Sequence, residues 1–322
     1  MRLLEVGSLT VDYRATRGTI RAVEDVSFCL DKGETLGLAG ESGSGKSTLG
    51  LSIMRLVPYP GVIVNGHIRI DGTDVLDLPE DEMRHIRGRK VAYIFQDPMT
   101  SLNPVKKIVT HFVEVIRAHE PSVTKEEALE RTKTTLNDLE ILPERINDYP
   151  HQFSGGMRQR IMIGLGIALN PDLVIADEPT TALDVIVQAK ILDLLKRLRD
   201  RYGMALILIT HDLSVILERC DKIIVMYAGH VLEYANSIDI HRDPKHPYTQ
   251  GLLQSIPNIE LADQNLKAIP GTPPDMLNPP HGCRFWPRCS YAEDTCRRKE
   301  PPLISVGRGH FVRCFQYKGA QS

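Results

Sequence analysis

Eight residues, Gly40-Glu-Ser-Gly-Ser-Gly-Lys-Ser47, limit what this chain can fold into more than any other stretch. They follow the apolar run "TLGLA" and open a helical pattern that runs from Lys46 to about Leu56. A glycine-rich turn between a buried strand and a helix lets backbone N–H groups converge on one anion. The helix N-terminus adds partial positive charge at the same place. The spacing is that of a phosphate loop, in which Lys46 brings a mobile cation to the β- and γ-phosphates and Ser47 can ligate Mg²⁺. Gly40, Ser42, Gly43, Ser44, Gly45, Lys46, Ser47 and Thr48 are therefore the candidate nucleotide-binding residues. A chance Gly-Ser turn would explain the glycines, but not the strand before them and the helix after.

The rest of the chain suits that placement. Residues 3–39 alternate as short strands, "HIRIDGTDVL" reads as a strand and turn, and "KVAYIFQD" as a buried strand. From about Pro98 to Ile146 the pattern is helical, with solvated charged faces in "KEEALERTKTTLNDLEIL". Pro171 then precedes the apolar strand "LVIADE", and "MALILITHD" and "KIIVMYAGHVLEY" supply two more. The helix "VIVQAKILDLLKRLRDRYG" lies between the first two and stops at Gly203. Buried strands alternating with helices predict an α/β fold with a parallel sheet, into which a helical subdomain of about residues 98–160 is inserted. After about residue 236 the composition shifts. Eight of the 21 prolines lie between Pro270 and Pro302, so little regular structure is expected there.

Composition narrows the compartment and the partners. With 42% hydrophobic and 25% charged residues the chain can bury a core. A net charge of -2 gives no overall field drawing it to nucleic acid, and no nucleic-acid partner is expected. The longest apolar run, "IMIGLGIAL" at 161–169, falls far short of the roughly 20 residues that span a bilayer. The first residues enter a strand pattern with no signal-peptide pattern, which points to the cytosol. There thiols stay reduced, so clustered cysteines suggest a metal rather than disulfides.

Two further motifs carry chemistry. In "LVIADEP" a buried strand delivers Asp177 and Glu178 at its C-terminal end, where ligands of such sheets bind. Asp177 suits a Mg²⁺ shell, and Glu178 suits the general base for an attacking water. A solvated acidic pair is the bland alternative. In "FSGGMRQR", Ser154 is a natural N-cap, and Gly155 and Gly156 permit close backbone approach at a second anion-binding helix start. A capped helix alone would explain Ser154 but not both glycines.

Taken together, these motifs resemble the ATP-binding cassette (ABC) ATPases over about residues 1–236. The resemblance implies a RecA-like P-loop core with a β subdomain and the inserted helical subdomain. It implies that Ser154, Gly155 and Gly156 contact ATP held by a partner subunit. Gln96 in "IFQD" falls in the loop joining ATP to a transmembrane partner, and in the catalytic and Mg²⁺-binding set with Ser47. His211 in "LITHD" becomes the switch residue at the γ-phosphate, Asp184 in "TALD" joins the subunit interface, and Tyr13 stacks on adenine.

The ABC ATPases of DNA repair and chromosome organisation carry coiled-coil insertions, and those of translation usually carry two cassettes per chain. This chain has one cassette and no coiled coil. A soluble, non-transport ABC ATPase is the rival reading. The segment "HRDPKHPYTQGLLQSIP", then "PGTPPD" and "GCRFWPRC", resembles the tail of ATPases from dipeptide and oligopeptide importers. That resemblance implies an ATPase subunit at the cytoplasmic face of the cell (inner) membrane, attached peripherally, that powers import of peptides or nickel. Its implied partners are a second ABC ATPase in a heterodimer, two membrane permease subunits and an extracytoplasmic peptide-binding protein. The domains are then 1–236, the nucleotide-binding domain, and 237–322, a Pro/Cys-rich extension.

Four of the six cysteines fall in that extension. Cys283, Cys289, Cys296 and Cys314 are separated by five, six and seventeen residues. A Pro-rich segment with few apolar residues needs a staple, and four thiolates suit either tetrahedral Zn²⁺ or a [4Fe–4S] cluster. The spacings lack the tight C-x₂₋₄-C pairs usual for structural zinc, yet spacing alone leaves both open. The importer resemblance implies the iron–sulfur cluster at these four residues, with zinc second. Cys29 and Cys220 read as packing.

Overall fold

A computed structural model describes residues 1–97, 101–181, 183–256 and 268–317. The strands are β1 (Arg2–Ala15), β2 (Gly18–Asp31), β3 (Thr35–Ala39), β4 (Gly61–Ile70), β5 (Thr73–Asp74) and β6 (Val91–Ile94). They continue as β7 (Leu173–Asp177), β8 (Ala205–Ile209), β9 (Lys222–Tyr227), β10 (His230–Asn236), β11 (Ile304–Gly307) and β12 (His310–Val312). The chain divides into two compact units. One comprises Met1–Leu3, Leu30–Glu34 and Thr73–Ile207; the other comprises Leu4–Cys29, Thr35–Gly72 and the chain from Leu208 onward.

In the first unit, β6 and β7 run parallel, with Val91 opposite Leu173 and Ile94 opposite Ala176. Every residue of both strands is buried, the near-continuous apolar run expected of a covered parallel strand. The helices Ile108–His119, Lys125–Asp138 and Gly155–Ile167 lie in and just past the stretch read as helical at about 98–160, whose residues 98–100 lie outside the described residues. Thr124 and Glu127 form a reciprocal capping box at the start of Lys125–Asp138, which buries Ala128, Thr132 and Leu136 and leaves its charges in water. The helix Val185–Tyr202 stops at Gly203, whose backbone is left-handed (φ 65°), as its sequence predicts.

In the second unit, β1 lies between β2 and β4, and β4 pairs antiparallel with β1 from Leu4–Ile70 to Tyr13–Gly61. The core strands follow the order β11-β12-β10-β9-β3. Here β3 and β9 are parallel, and β9 and β10 are antiparallel. The stretch "KIIVMYAGHVLEY", read from sequence as one strand, is instead a hairpin. Ala228 and Gly229 both take positive φ (48° and 84°), and this two-residue turn reverses the chain.

The proline-rich tail also holds more order than its composition suggests. Beyond the helix Pro247–Gln254, β12 pairs with β10, placing Val312 opposite Glu233 and Phe311 opposite Tyr234. The tail borrows its regularity from a sheet edge already in place. Among the described residues no helix is long and apolar enough to cross a membrane.

Candidate nucleotide site and cysteine-lined cavity

The phosphate loop is held by backbone crowding as much as by its own sequence. A Cβ on Gly40 (φ 147°) would stand 2.2 Å from the Met226 carbonyl oxygen, and one on Gly45 (φ 103°) 2.2 Å from that of Ala22. Both positions need glycine for space and for backbone conformation. The Gly229 N–H, in the β9–β10 turn, donates to the Ser44 carbonyl at 3.0 Å. The helix Lys46–Ile53 follows with no acidic residue in its first turn, so nothing there competes with an anion. Lys46 is buried and folds back on the loop, donating to the carbonyls of Gly40 (2.7 Å) and Glu41 (3.0 Å). Ser42, Gly43 and Ser47 are exposed at the rim. Tyr13 is half-buried, its hydroxyl 3.4 Å from that of Thr48, so these two predicted residues are neighbours. His211 is exposed just after β8.

The first unit gathers the acidic pair with Gln96. Glu178, just past β7, has positive φ (45°), a sparsely populated backbone for a non-glycine residue. Its Oε2 accepts from Gln96 Nε2 and from the Thr181 hydroxyl, each at 2.8 Å. Asp177 is buried, and its Oδ2 accepts from the Tyr93 hydroxyl at 2.7 Å. Burial and the neighbouring Asp177 raise the Tyr93 pKa, so this phenol stays a donor. Ser154 caps the helix Gly155–Ile167 by accepting from the Met157 N–H at 3.4 Å, and Asp184 caps Val185–Tyr202 by accepting from the Val187 N–H at 3.0 Å. Both cap residues are exposed. A Cβ on Gly156 would meet Val187 Cγ1 at 2.7 Å, whereas one on Gly155 would meet only Leu183 at an ordinary 3.8 Å. The second glycine therefore has a packing reason that its sequence did not show.

In the second unit, Cys283, Cys289, Cys296 and Cys314 line one cavity of about 20 Å³, together with His246 and Phe285. Among the described residues no cysteine forms a disulfide; Cys220 is buried in the core and Cys29 half-buried in β2, as packing predicts. The Cys283 N–H donates to the Cys296 carbonyl at 2.8 Å, closing the Cys-rich loop on itself. Burial pushes the Cys283 thiol up to about 12 and Cys314 up to about 11, and it also raises Cys289. Neighbouring thiols add to the rise at each of the three. Among the described residues, no three or more His, Cys, Asp or Glu side chains are arranged to hold a metal ion. The donor chemistry fits a thiolate-bound group whose own positive charge offsets the cost of ionising buried thiols, and holding it would require the four side chains to close on one centre.

Residues 23–181 match a family model described as ABC transporter, and residues 232–296 match one described as oligopeptide/dipeptide transporter, C-terminal region. The chain is 48% identical to the oligopeptide transport ATP-binding protein OppD of Bacillus subtilis, over 97% of this chain and 88% of that one. It is 44% identical to the dipeptide transport ATP-binding protein DppD of Escherichia coli, over 98% and 96% of the two chains. The chain belongs to this family of ABC transporter ATP-binding proteins. A dimeric ATP-binding cassette solved in a post-hydrolysis state with ADP and Pi is 30% identical, with a TM-score of 0.65, over 73% of this chain and 99% of that one.

Within this family architecture, several residues that hold the site were not evident from sequence. Tyr93 sits in an apolar strand and reads as core, although it positions Asp177. Thr181 lies three residues after Glu178, a spacing that a turn after a strand could have suggested. Tyr248 and Arg288 lie in the stretches that resemble the importer tail and Glu41 at a free position of the phosphate loop, and only the fold brings the three together.

Proposed function

We propose that this protein is the ATP-hydrolysing subunit that powers import of dipeptides or oligopeptides through separate membrane subunits. What carries this reading is the presence of an intact phosphate loop and a peptide-transporter C-terminal region in one chain. The proposed domains are a nucleotide-binding domain at 1–236, with the helical insertion at about 98–160, and an extension at 237–322.

The loop N–H groups and the helix N-terminus receive the phosphates, and Lys46 exchanges the carbonyls of Gly40 and Glu41 for phosphate oxygens. Ser42, Gly43, Ser44, Gly45 and Thr48 complete this cradle, and Tyr13 stacks on the base. Glu178 takes the proton of the water that attacks the γ-phosphorus, and the bond to the departing ADP oxygen breaks. Gln96 and Thr181, both donating to Oε2, hold the carboxylate in one orientation for that transfer. Mg²⁺, when bound, supplies positive charge to the β- and γ-phosphate oxygens; Ser47, Asp177 and Gln96 would hold it. His211 contacts the γ-phosphate.

Ser154, Gly155 and Gly156 serve ATP bound by a second ABC ATPase, with Asp184 at the shared interface, which makes the working unit a dimer, here a heterodimer. Two permease subunits place the chain at the cytoplasmic face of the cell membrane, and an extracytoplasmic binding protein delivers peptide. Cys283, Cys289, Cys296 and Cys314 would hold a [4Fe–4S] cluster, with Zn²⁺ as the second choice; this group supplies a structural cross-link. Isolation of the complex and reconstitution in vesicles tests the whole reading. ATP-dependent peptide uptake is expected, and Glu178→Gln should lower hydrolysis at least ~10²-fold while ATP binding persists. Retained turnover in that variant would sink the general-base assignment; a complex without permeases would sink the transport role.

A further inference from the structure

Glu41 occupies one of the free positions of the phosphate-loop motif, yet it is held from three directions. Its N–H donates to the Tyr248 hydroxyl at 3.0 Å. Its carboxylate receives Arg288 as a two-pronged ion pair, Nη1 to Oε2 at 2.6 Å and Nη2 to Oε1 at 3.0 Å. Its carbonyl accepts from Lys46. Neither outer partner belongs to the loop. Tyr248 lies in the helix Pro247–Gln254, and Arg288 immediately precedes Cys289.

Both partners are themselves fixed. Tyr248 is fully buried, with its ring centroid 4.8 Å from that of Tyr227 and 5.3 Å from that of Phe285. Arg288 is only 7% exposed. Its Nε donates to the Pro270 carbonyl at 2.8 Å and its Nη1 lies 3.4 Å from the Tyr227 hydroxyl. Tyr227 ends β9, the strand parallel to β3, which leads into the loop. A forked pair between a buried arginine and a half-buried glutamate is geometrically specific and costly to break on one side only. A surface ion pair holding down a tail would need neither the burial nor the second anchor on the same residue.

We propose that Arg288 and Tyr248 are positioning residues for the phosphate loop, acting through Glu41 to hold it in the conformation that receives nucleotide. The extension thereby sets ATP affinity from outside the motif. Lys46 must leave the Glu41 carbonyl to reach a phosphate. With Glu41 held at its N–H and its carboxylate, the loop keeps its curl while Lys46 moves. Without those anchors Glu41 follows the lysine, and the loop must be ordered anew at each binding event. This inference rests on the proposed nucleotide-binding role.

Equilibrium binding of Mg-ATP to the full-length chain, with steady-state hydrolysis by the assembled complex, tests it. Arg288→Ala and Glu41→Gln should each weaken ATP binding about tenfold, the size expected for losing a charge-assisted pair. The Arg288→Ala/Glu41→Gln double variant should be no weaker than either single one, since both lesions break one contact. Arg288→Lys, which keeps the charge but not the fork, should fall between wild type and Arg288→Ala. KM for ATP should rise while kcat stays within about twofold, because none of these groups reaches the reacting atoms. Unchanged affinity in Arg288→Ala would overturn the proposal, as would additive losses in the double variant. If Arg288→Ala does not fold, unchanged affinity in Glu41→Gln overturns it alone. Failure of the wild-type chain to bind Mg-ATP would instead strike the nucleotide-binding role itself.

Discussion

The phosphate loop and the cysteine-lined cavity belong to the same compact unit, but they are assembled in opposite ways. The loop draws its chemistry from consecutive residues, Gly40 to Thr48, and mostly from the backbone, so its function is spelled out in order. The cavity draws four thiols from a span of more than thirty residues and adds Pro247, which opens the preceding helix, and His246, which caps it. A local motif can be read from spacing because the chain between its parts has no freedom to rearrange. A dispersed set cannot, because the intervening turns decide which way each side chain points.

The largest expected effect concerns the cavity. Protein purified without oxygen should be brown, with broad absorption near 400 nm and about four irons per chain, and Cys289→Ser should abolish the colour. A colourless protein carrying one zinc would exchange the cluster for a single ion and leave the four ligands in place. No metal at all would remove the staple and with it half of the comparison.

A smaller effect separates the two signature glycines, a motif that is local in sequence but constrained from afar. Gly156→Ala should lower unfolding stability by about 1–3 kcal/mol, because its Cβ would stand 2.7 Å from Val187 Cγ1. Gly155→Ala, with an ordinary 3.8 Å contact, should lie within about 0.5 kcal/mol of wild type. Equal changes in urea titrations of the two variants would show that the contact with Val187 does not set the two positions apart.

The smallest effect is acid dependence in the network that ties the extension to β2. A hydrogen bond from His230, followed by those from Arg21 and the charge of Arg284, holds the Glu24 carboxyl down to about 2. Asp12 shares Arg21, while Glu300 faces both His230 and Arg313. A carboxylate lowered in the folded state stabilises above its unfolded value of about 4.3, and that stability is lost as pH falls from there toward about 2. Glu24→Gln should therefore lose less stability than wild type between pH 6 and pH 3, measured as urea midpoints. An unchanged difference would mean the network does not couple to folding.

Legibility followed the same division. The strand before the loop, the acidic pair at the end of β7 and the glycine stop at Gly203 were readable because each depends on neighbours within a few residues. Burial contrast and capping chemistry act at that range. The β9–β10 hairpin was missed because Ala228 reads as apolar strand, and only its positive φ beside Gly229 marks the turn. The tail strands were missed because Ile304–Gly307 and His310–Val312 are short, and their order comes from pairing β11 with β12 and β12 with β10. Arg288 and Glu41 lie 247 residues apart, and no periodicity or spacing rule operates over that distance.

That separation also sets an order of events during synthesis. Arg284 reaches Glu24 across 260 residues, and Arg288 reaches Glu41 across 247. At ribosomal speeds of about 5–20 residues per second, the loop waits roughly 10–50 s for its outer anchors to emerge. Until then the nascent chain carries the complete motif without the residues that brace it. A chain cut off before residue 248 therefore has the whole phosphate-loop motif and neither Tyr248 nor Arg288 to hold it.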